Sequence, residues 1–471
     1  MAEFIIYLPL IVCGLFVVAV GACVGSLINV IVYRLPLGMS IMRPPSRCPS
    51  CETRLTWREN IPVLGWVLLG GKCRFCKSRV SVEYPLVEAL TAAVFGLAFC
   101  WLYVIPISWG VTPEWALNDR FNAWPRHTWP AALVVLTLLG GLIAMTITDL
   151  KSYTIPLEVA WFVTAVALVV HPLHAAWFQI AHGPVVRILD AAETQLITAE
   201  GFGWLCASPT EPWTLATGGL GGWGFIGMGL GGVVGLGVSG LLLRLKLIRR
   251  SFMDYDEWEA KALAEAKAEL QREAEARGET LELDKDGNPL DAEGNPTDLW
   301  IAYPHARREM VKEMAFLATP FAGMVFGAGF FPSIAAAVVG RLEDGSLPAA
   351  PMWLVALGGV LAGYLIGGGV VWGVRVLGSL AFNKEAMGLG DVHLLAAVGA
   401  CLGWIDATVA LFAGAFVGLA LYPVTSILMR SSNRTLPFGP SLAIAAALVF
   451  FAKPALEWGL GQILGQPIDL P

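Results

Sequence analysis

Long apolar stretches dominate this chain, and they constrain its fold more than any other feature. A transmembrane helix needs about 20 predominantly apolar residues to cross the hydrocarbon layer of a bilayer. The stretches that predict crossings are Phe4–Tyr33, Leu86–Ser108, Pro130–Thr148, Leu157–Phe178, Thr217–Leu247, Met314–Gly340, Met352–Gly378, the shorter Val392–Trp404, Ala407–Leu428 and Pro440–Leu460. The sequence therefore predicts an all-α polytopic membrane helical bundle with about 8 to 10 transmembrane helices.

The composition supports a membrane location. Of the 471 residues, 56% are hydrophobic and 14% are charged, whereas soluble domains carry about 25% charged residues. The net charge of -6 is spread along the chain, so we expect no nucleic-acid partner. The first apolar stretch follows Glu3 rather than a basic segment and lacks a clear cleavage site. We therefore expect a retained transmembrane helix and not a removed signal peptide.

A basic loop after the first apolar stretch predicts the orientation of the chain. Cytoplasmic loops of membrane proteins carry an excess of Lys and Arg, and the loop Arg34–Glu83 is rich in both. This loop is therefore expected in the cytoplasm. When the crossings alternate from there, both Asp149 and Asp391 fall at the cytoplasmic face.

Two CxxC pairs lie within this basic loop, and they consist of Cys48, Cys51, Cys73 and Cys76. Each pair can supply two thiolates from one tight turn, and four thiolates complete the tetrahedral shell of a structural Zn²⁺ ion. Disulfides are the alternative, which a reducing cytoplasm disfavours. We expect a small, strand-rich, zinc-ribbon-like domain here. The other cysteines are predicted to be packing residues: Cys13, Cys23, Cys100, Cys206 and Cys401.

Two carboxylates stand at the ends of apolar stretches. Asp149 follows the stretch Pro130–Thr148, and Asp391 follows two closely spaced glycines, Gly388 and Gly390. Each Asp alone could be an interfacial carboxylate or a helix cap, but capping does not explain the glycines. If the two met in space, they could act as an aspartic protease pair, in which one carboxylate keeps its proton and the other activates water.

The segment Ser251–Lys312 is the long charged block of the chain. Its first half is rich in Ala, Glu and Lys and predicts a solvated helix. Its second half has the alternating residues Asp284, Asp286 and Asn288 of a calcium loop. However, Pro289 occupies the position where such a loop requires Gly, and no Glu closes the loop. Two GNP tracts predict a hairpin with tight turns instead.

Five motifs can be compared with known families. They are GSLINVIVYRLP at Gly25–Pro36, the CxxC-containing segment Cys48–Leu90, TDLKSYTIP at Thr148–Pro156, EAMGLGDVHLLAAVGACLGW at Glu385–Trp404, and LPFGP at Leu436–Pro440. Together they resemble the motifs of bacterial prepilin peptidases, the type IV leader peptidase family of GxGD membrane aspartic proteases. The resemblance covers most of the chain apart from roughly Gln179–Ala349.

This resemblance implies a multi-pass enzyme of the bacterial inner membrane with its active site at the cytoplasmic face. The family cleaves the basic leader of type IV prepilins and type II secretion pseudopilins after a Gly, and many members then N-methylate the new terminus with S-adenosylmethionine. Prepilins, pseudopilins and the lipid bilayer are thus the expected partners. The implied catalytic residues are Asp149 and Asp391, and the implied metal ligands are Cys48, Cys51, Cys73 and Cys76. No glycine-rich signature marks a site for S-adenosylmethionine.

The expected domains follow the motifs. They are the first transmembrane helix (1–33), a cytoplasmic zinc-binding domain (34–85), helices with the first catalytic Asp (86–178), an insertion (179–350) with an outer loop, an extra helix pair and the charged segment 251–312, and helices with the GxGD motif (351–471). An even number of added crossings preserves the sidedness of Asp391. His393 stands where the family commonly has Lys. The sequence leaves the role of His393 and the oligomeric state open.

Two other functions also fit parts of the sequence. One is a GxGD protease with other substrates, although the other GxGD lineages lack the zinc loop and LPFGP. The other is a non-catalytic zinc-ribbon membrane scaffold or a transporter. Transport predicts a charged residue deep within a helix, and Glu88, close to the inner face, is the nearest candidate.

Overall fold

Helices make up almost all of the regular structure in the described residues of this protein. The computed structural model describes residues 2–104, 129–182, 188–189, 196–197, 222–277, 303–343, 345, 347–348, 350–429 and 438–465. The helices in these residues are α1 (Ala2–Arg34), α2 (Leu64–Leu68), α3 (Glu83–Tyr103), α4 (Trp129–Ser152), α5 (Leu157–His182), α6 (Trp223–Arg244), α7 (Tyr255–Arg277), α8 (Ala306–Val339), α9 (Met352–Phe382), α10 (Leu389–Leu402), α11 (Trp404–Met429) and α12 (Gly439–Leu464). Two short strands, β1 (Ile188–Leu189) and β2 (Leu196–Ile197), form an antiparallel pair.

Eight of the described helices are long and apolar enough to cross a membrane. Their spanning parts are Leu8–Arg34, Glu83–Tyr103, Trp129–Ser152, Leu157–Trp177, Trp223–Arg244, Ala306–Val339, Trp353–Phe382 and Trp404–Pro423, while Leu389–Leu402 and Gly439–Phe451 are shorter apolar helices. Many large hydrophobic side chains on the outer faces stay exposed, among them Phe326 and Phe416, as expected of helices that face lipid. The predicted fold class, a mainly helical multi-pass membrane bundle, is confirmed.

The short helix α10 lies at the centre of the bundle. It packs against α4, α5, α9, α11 and α12, and every residue from Leu394 to Leu402 is buried. A helix that is apolar on all sides is typically enclosed by other helices. Because α10 is enclosed, the residues at its first turn have a fixed place among the ends of the neighbouring helices.

Glycines allow the extra helices α6 and α8 to pack with their backbones in contact. A Cβ atom at Gly231 would overlap the carbonyl oxygen of Gly323, and one at Gly227 would overlap that of Gly327. Small residues at four-residue spacing permit this close approach between membrane helices, where van der Waals packing supplies much of the association energy. Farther along the same interface, the Ser239 hydroxyl donates to the Phe316 carbonyl. The helix pair predicted within the insertion is thus a tightly packed unit.

The charged insertion contains the helix that its first half predicted, since α7 spans Tyr255–Arg277. Its last residues, from Ala306 onward, belong to the beginning of α8. The predicted hairpin around Asp284 and Asn288 lies outside the described residues, and so does Cys206.

Replacing Gly231 by Leu should separate α6 from α8. Overpacking of a tight interface lowers the free energy of unfolding by about 1–3 kcal/mol, so we expect a reduced thermal midpoint for the purified protein in detergent. Gly237 is the matched control, since it lies on the same helix and a Cβ there would meet no atom within 4 Å. If Gly237→Leu and Gly231→Leu lowered the midpoint equally, the glycine contact would not be what holds the pair together.

Candidate functional site: a pair of aspartates and a cluster of four cysteines

The four cysteines of the CxxC pairs come together in space. Their Sγ atoms all lie within 4.8 Å of one another, with 3.8 Å between Cys48 and Cys76 and 4.0 Å between Cys51 and Cys73. A tetrahedral ion with metal–sulfur bonds of about 2.3 Å separates its ligands by about 3.8 Å. A disulfide would need a sulfur–sulfur distance of about 2.05 Å, and all four thiols are free. The cluster therefore fits a tetrahedral metal ion.

Two similar turns carry the cysteines. In the first turn the N–H of Cys48 donates to the carbonyl of Thr53 (3.0 Å), and in the second the N–H of Cys73 donates to the carbonyl of Ser78 (2.9 Å). An isolated bridge closes each turn, one between Arg47 and Arg54 and the other between Lys72 and Arg79. The same local backbone geometry thus occurs twice, and each copy presents two sulfur atoms to one point.

Hydrogen bonds within these turns favour the thiolate forms of two of the cysteines. The backbone N–H of Cys51, together with that of Ser50, lowers the pKa of the Cys48 thiol to about 6. The Ser78 hydroxyl lowers the pKa of Cys76 below its ordinary value. At Cys73 backbone hydrogen bonds lower the pKa, but burial and hydrogen bonds with Cys48 and Cys76 outweigh them, so the pKa lies above its ordinary value. Since metals bind the deprotonated thiol, the turns favour the metal-binding form at Cys48 and Cys76.

The segment between the two cysteine pairs is not strand-rich, so that expectation is wrong. It forms the short helix α2 instead. Gly70 and Gly71 follow this helix with φ angles of 59° and 68°. Only glycine adopts such angles readily. Two such glycines in succession turn the chain sharply, so too few extended residues remain to form a β-ladder.

Glu88 attaches this segment to the membrane helices. Its carboxylate, on α3, accepts a hydrogen bond of 2.6 Å from the backbone N–H of Val63, just before α2. The Glu88 side chain is 9% exposed, and its backbone touches α1 at Gly25. The residue that the sequence singled out as a candidate for transport therefore holds the cysteine segment against the bundle.

Asp149 and Asp391 lie at neighbouring helix ends. Asp149 is in the last turn of α4 and Asp391 in the first turn of α10. Their side chains are 6% and 7% exposed, and the two carboxylates are close enough to interact electrostatically. Like charges this close oppose each other's ionisation, which is the arrangement that an acid–base pair of carboxylates requires.

A third helix end completes this arrangement. The backbone N–H of Gly439, the first residue of α12, donates a hydrogen bond to the Asp149 carboxylate. A Cβ atom at Gly439 would overlap Asp149 Oδ2, and one at Gly390 would lie 2.8 Å from Cβ of Ile155. Ile155 also borders Gly439, at 3.1 Å from the same hypothetical atom. The glycines of the GLGD and LPFGP motifs thus make room for Asp149 and Ile155.

Asp391 also caps its own helix. Gly388 is the N-cap of α10, and its backbone N–H donates to the Asp391 carboxylate. An acidic residue three positions after the N-cap commonly makes this bond. The capping role that the sequence suggested is therefore present, and it coexists with the placement of Asp391 beside Asp149.

His393 packs away from the aspartates. Its ring lies edge-on to the ring of Trp161 on α5, with 6.2 Å between the ring centroids. Successive residues of an α-helix are rotated by about 100°, so His393 and Asp391 project from opposite sides of α10. The contact with Trp161 gives this residue a packing role.

Sequence reasoning missed a buried ion pair between α11 and α12. Lys453 Nζ lies 3.1 Å from Asp406 Oδ2, and both side chains are almost inaccessible. Lys453 follows Gly439 by 14 positions on α12, which corresponds to about 21 Å along the helix axis. The pair therefore lies far from Asp149. The Lys in the middle of the apolar stretch Pro440–Leu460 was the signal that could have revealed it.

Together these features define a polytopic membrane protein with two buried aspartates at adjoining helix ends and a four-cysteine cluster. Residues 19–102 match the family model of the bacterial peptidase A24 N-terminal domain. Residues of this chain are 38% identical over 145 positions to a prepilin leader peptidase/N-methyltransferase of Myxococcus xanthus, covering 31% of this chain and 36% of the relative. A "type 4 prepilin-like proteins leader peptide-processing enzyme" of Escherichia coli is 32% identical to this chain over 154 residues. The match covers 29% of this chain and 48% of the relative.

A third relative, the prepilin leader peptidase/N-methyltransferase of Klebsiella pneumoniae, is 42% identical over 91 residues, or 18% of this chain and 40% of the relative. The chain thus spans between about a third and a half of the length of these curated relatives. No solved structure matches the chain. The matches confirm the resemblance to bacterial prepilin peptidases that the five motifs indicated.

Proposed function

We propose that this protein is a membrane aspartic endopeptidase that cleaves the leader of type IV prepilins and pseudopilins after a Gly. The observation that carries this proposal is the convergence of Asp149 and Asp391 from different helices. A non-catalytic scaffold has no need for two buried carboxylates at adjoining helix ends, and a transporter would be expected to carry its charged residues deep within the helices. The similarity to prepilin-processing enzymes of three bacteria supports the substrate class.

The proposed mechanism uses the two carboxylates as one acid–base pair. The ionised carboxylate removes a proton from water, and the protonated one donates a hydrogen bond to the scissile carbonyl. Water then attacks the carbonyl carbon, and the carboxyl that received the water proton passes it to the amide nitrogen as the C–N bond breaks. The N–H of Gly439 on Asp149 and that of Gly388 on Asp391 hold the two groups in place during this cycle.

The proposed site faces the cytoplasm, on the same side of the inner membrane as the basic loop. Lys151, two residues after Asp149, forms an ion pair with Glu83, the first residue of α3. The end of α4 therefore adjoins the end of the cysteine-containing loop. A cavity of about 290 Å³ opens beside this ion pair and is lined by Asn29, Tyr33, Tyr84 and Ser152, among others. It offers a peptide a place at the end of α4, beside Lys151 and Ser152.

Zn²⁺ is the proposed occupant of the cysteine cluster. Cys48, Cys51, Cys73 and Cys76 would complete its shell and leave no open position for a substrate, so the metal would stabilise the loop rather than take part in hydrolysis. The segment has too small an apolar core to fold without such a link.

N-methylation of the newly formed terminus is a second candidate activity. It is favoured because the relatives in Myxococcus xanthus and Klebsiella pneumoniae are named as N-methyltransferases. This activity would use S-adenosylmethionine as the methyl donor. We assign no residue to that cofactor.

Replacing Asp149 or Asp391 by Asn should each lower cleavage by about 100- to 10,000-fold, because each removes one member of the acid–base pair. The measurement is the ratio of mature to unprocessed prepilin on co-expression with the full chain. Glu158→Gln is the control, because Glu158 is an exposed carboxylate near the same membrane face, in the first turn of α5. Normal processing by both Asn variants would contradict the proposed pair.

Replacing Gly439 by Ala should lower cleavage by up to about 100-fold, because the added methyl group displaces the Asp149 carboxylate and a displacement of about 1 Å has effects of this size. The same prepilin assay measures it. Gly459→Ala on the same helix is the matched control, since a Cβ there meets no atom within 4 Å. Equal activity of the two variants would show that the approach of α12 to Asp149 is not needed.

Metal analysis of the purified protein should find about one Zn²⁺ per chain, as expected for a single four-thiolate site. Cys48→Ser should lose most of this metal, whereas Cys100→Ser, which changes an exposed thiol of α3, should keep it. Full metal content in the Cys48→Ser protein, or none in the unaltered protein, would contradict the assignment.

A further inference from the structure

Arg375 is a buried cation on α9 that the proposed mechanism does not use. Its side chain is 1% exposed. The guanidinium donates from Nε and Nη2 to the Glu313 carboxylate, with both distances 3.2 Å. A buried charge is tolerated only when it is paired and its hydrogen bonds are satisfied. Glu313 therefore determines where this guanidinium lies.

The remaining donor of Arg375 reaches the loop that precedes Asp391. Its Nη1 donates to the Glu385 carboxylate and to the backbone carbonyl of Met387. Met387 directly precedes Gly388, whose N–H binds the Asp391 carboxylate. Arg375 thus holds the backbone one residue before the group that orients Asp391.

Glu313 comes from the insertion, whose sequence lies outside the five motifs. It is 3% exposed on α8 and also accepts a hydrogen bond of 2.6 Å from the indole N–H of Trp372. On the other side of Arg375, the ring of Phe252 lies 5.5 Å from the guanidinium carbon. Phe252 belongs to the segment before α7, and its N–H donates to Glu309 of α8 (2.7 Å). The insertion therefore contacts Arg375 from two sides.

We infer that Glu313 and Arg375 are positioning residues for Asp391. The inserted helix α8 therefore helps to hold Asp391 in place. The chain of contacts runs from Glu313 through Arg375 to the Met387 carbonyl and then to Gly388 and Asp391. This inference rests on the proposed function for its catalytic consequence, but not for its structural one. Loss of the Glu313 charge leaves the guanidinium without its fixed partner, and the loop before α10 gains freedom.

The kinetic test compares Glu313→Gln with Asp406→Asn in the purified full chain, using a prepilin as substrate. Asp406 is the matched control because it also belongs to a buried ion pair, at the other end of α10. We expect Glu313→Gln to lower kcat at least 10-fold with KM changed less than twofold, while Asp406→Asn keeps kcat. Arg375→Lys should resemble Glu313→Gln, since an ammonium lacks the fork that binds Glu313 and the loop together. An unchanged kcat in Glu313→Gln, or an equal loss in both ion-pair variants, would overturn the inference.

Hydrogen exchange of the backbone amides provides a readout that does not depend on cleavage. In Glu313→Gln the amides of residues 384–391 should exchange at least 10-fold faster than in the unaltered chain, whereas Asp406→Asn should leave them unchanged. Unchanged exchange in Glu313→Gln would overturn the inference even if the enzyme cleaves prepilins. Conversely, accelerated exchange in a protein that cleaves no prepilin would support the positioning contacts and contradict the proposed function.

Discussion

The hydrogen bond from Gly439 to Asp149 sets the arrangement of the site. A carboxylate that leaves water needs donors supplied by the protein, and the N-terminus of a helix offers N–H groups together with a favourable dipole. For α12 to supply them, its first residue must lie against Asp149, which leaves no room for a Cβ atom at Gly439. The ends of α4 and α12 are thereby joined, and α10, packed against both, brings Asp391 to the same place.

The sequence contained enough local information to predict the helices, the cysteine cluster and the positions of both aspartates at helix ends. CxxC spacing and the GLGD motif act within a few residues, so they can be recognised without knowledge of the fold. The partners of Arg375 and Lys453 could not be predicted, because Glu313 and Asp406 lie on other helices and meet them only through helix packing. The short helix α2 was missed because an apolar run of that length fits a helix or a strand equally well.

The insertion changes how the family resemblance should be applied to this chain. The five motifs lie outside the insertion. A comparison based on motifs alone would therefore treat α6, α7 and α8 as unrelated to the site. The structure instead packs α8 against α9 and buries Glu313 with Arg375, next to the GLGD loop. Substitutions in the insertion therefore deserve comparison with substitutions near the aspartates.

The length of α10 has a consequence for the interior of the membrane. Its 14 residues extend about 21 Å, whereas the hydrocarbon layer is about 30 Å thick. A helix of this length is too short to cross the layer by itself, and its last residues, from Val398 to Leu402, are all buried within the protein. His171 Nε2 lies 3.3 Å from the Cys401 carbonyl, and the pair Asp406–Lys453 is buried just beyond. His171 thus gives the end of this short helix a hydrogen-bond partner that water would otherwise have to supply.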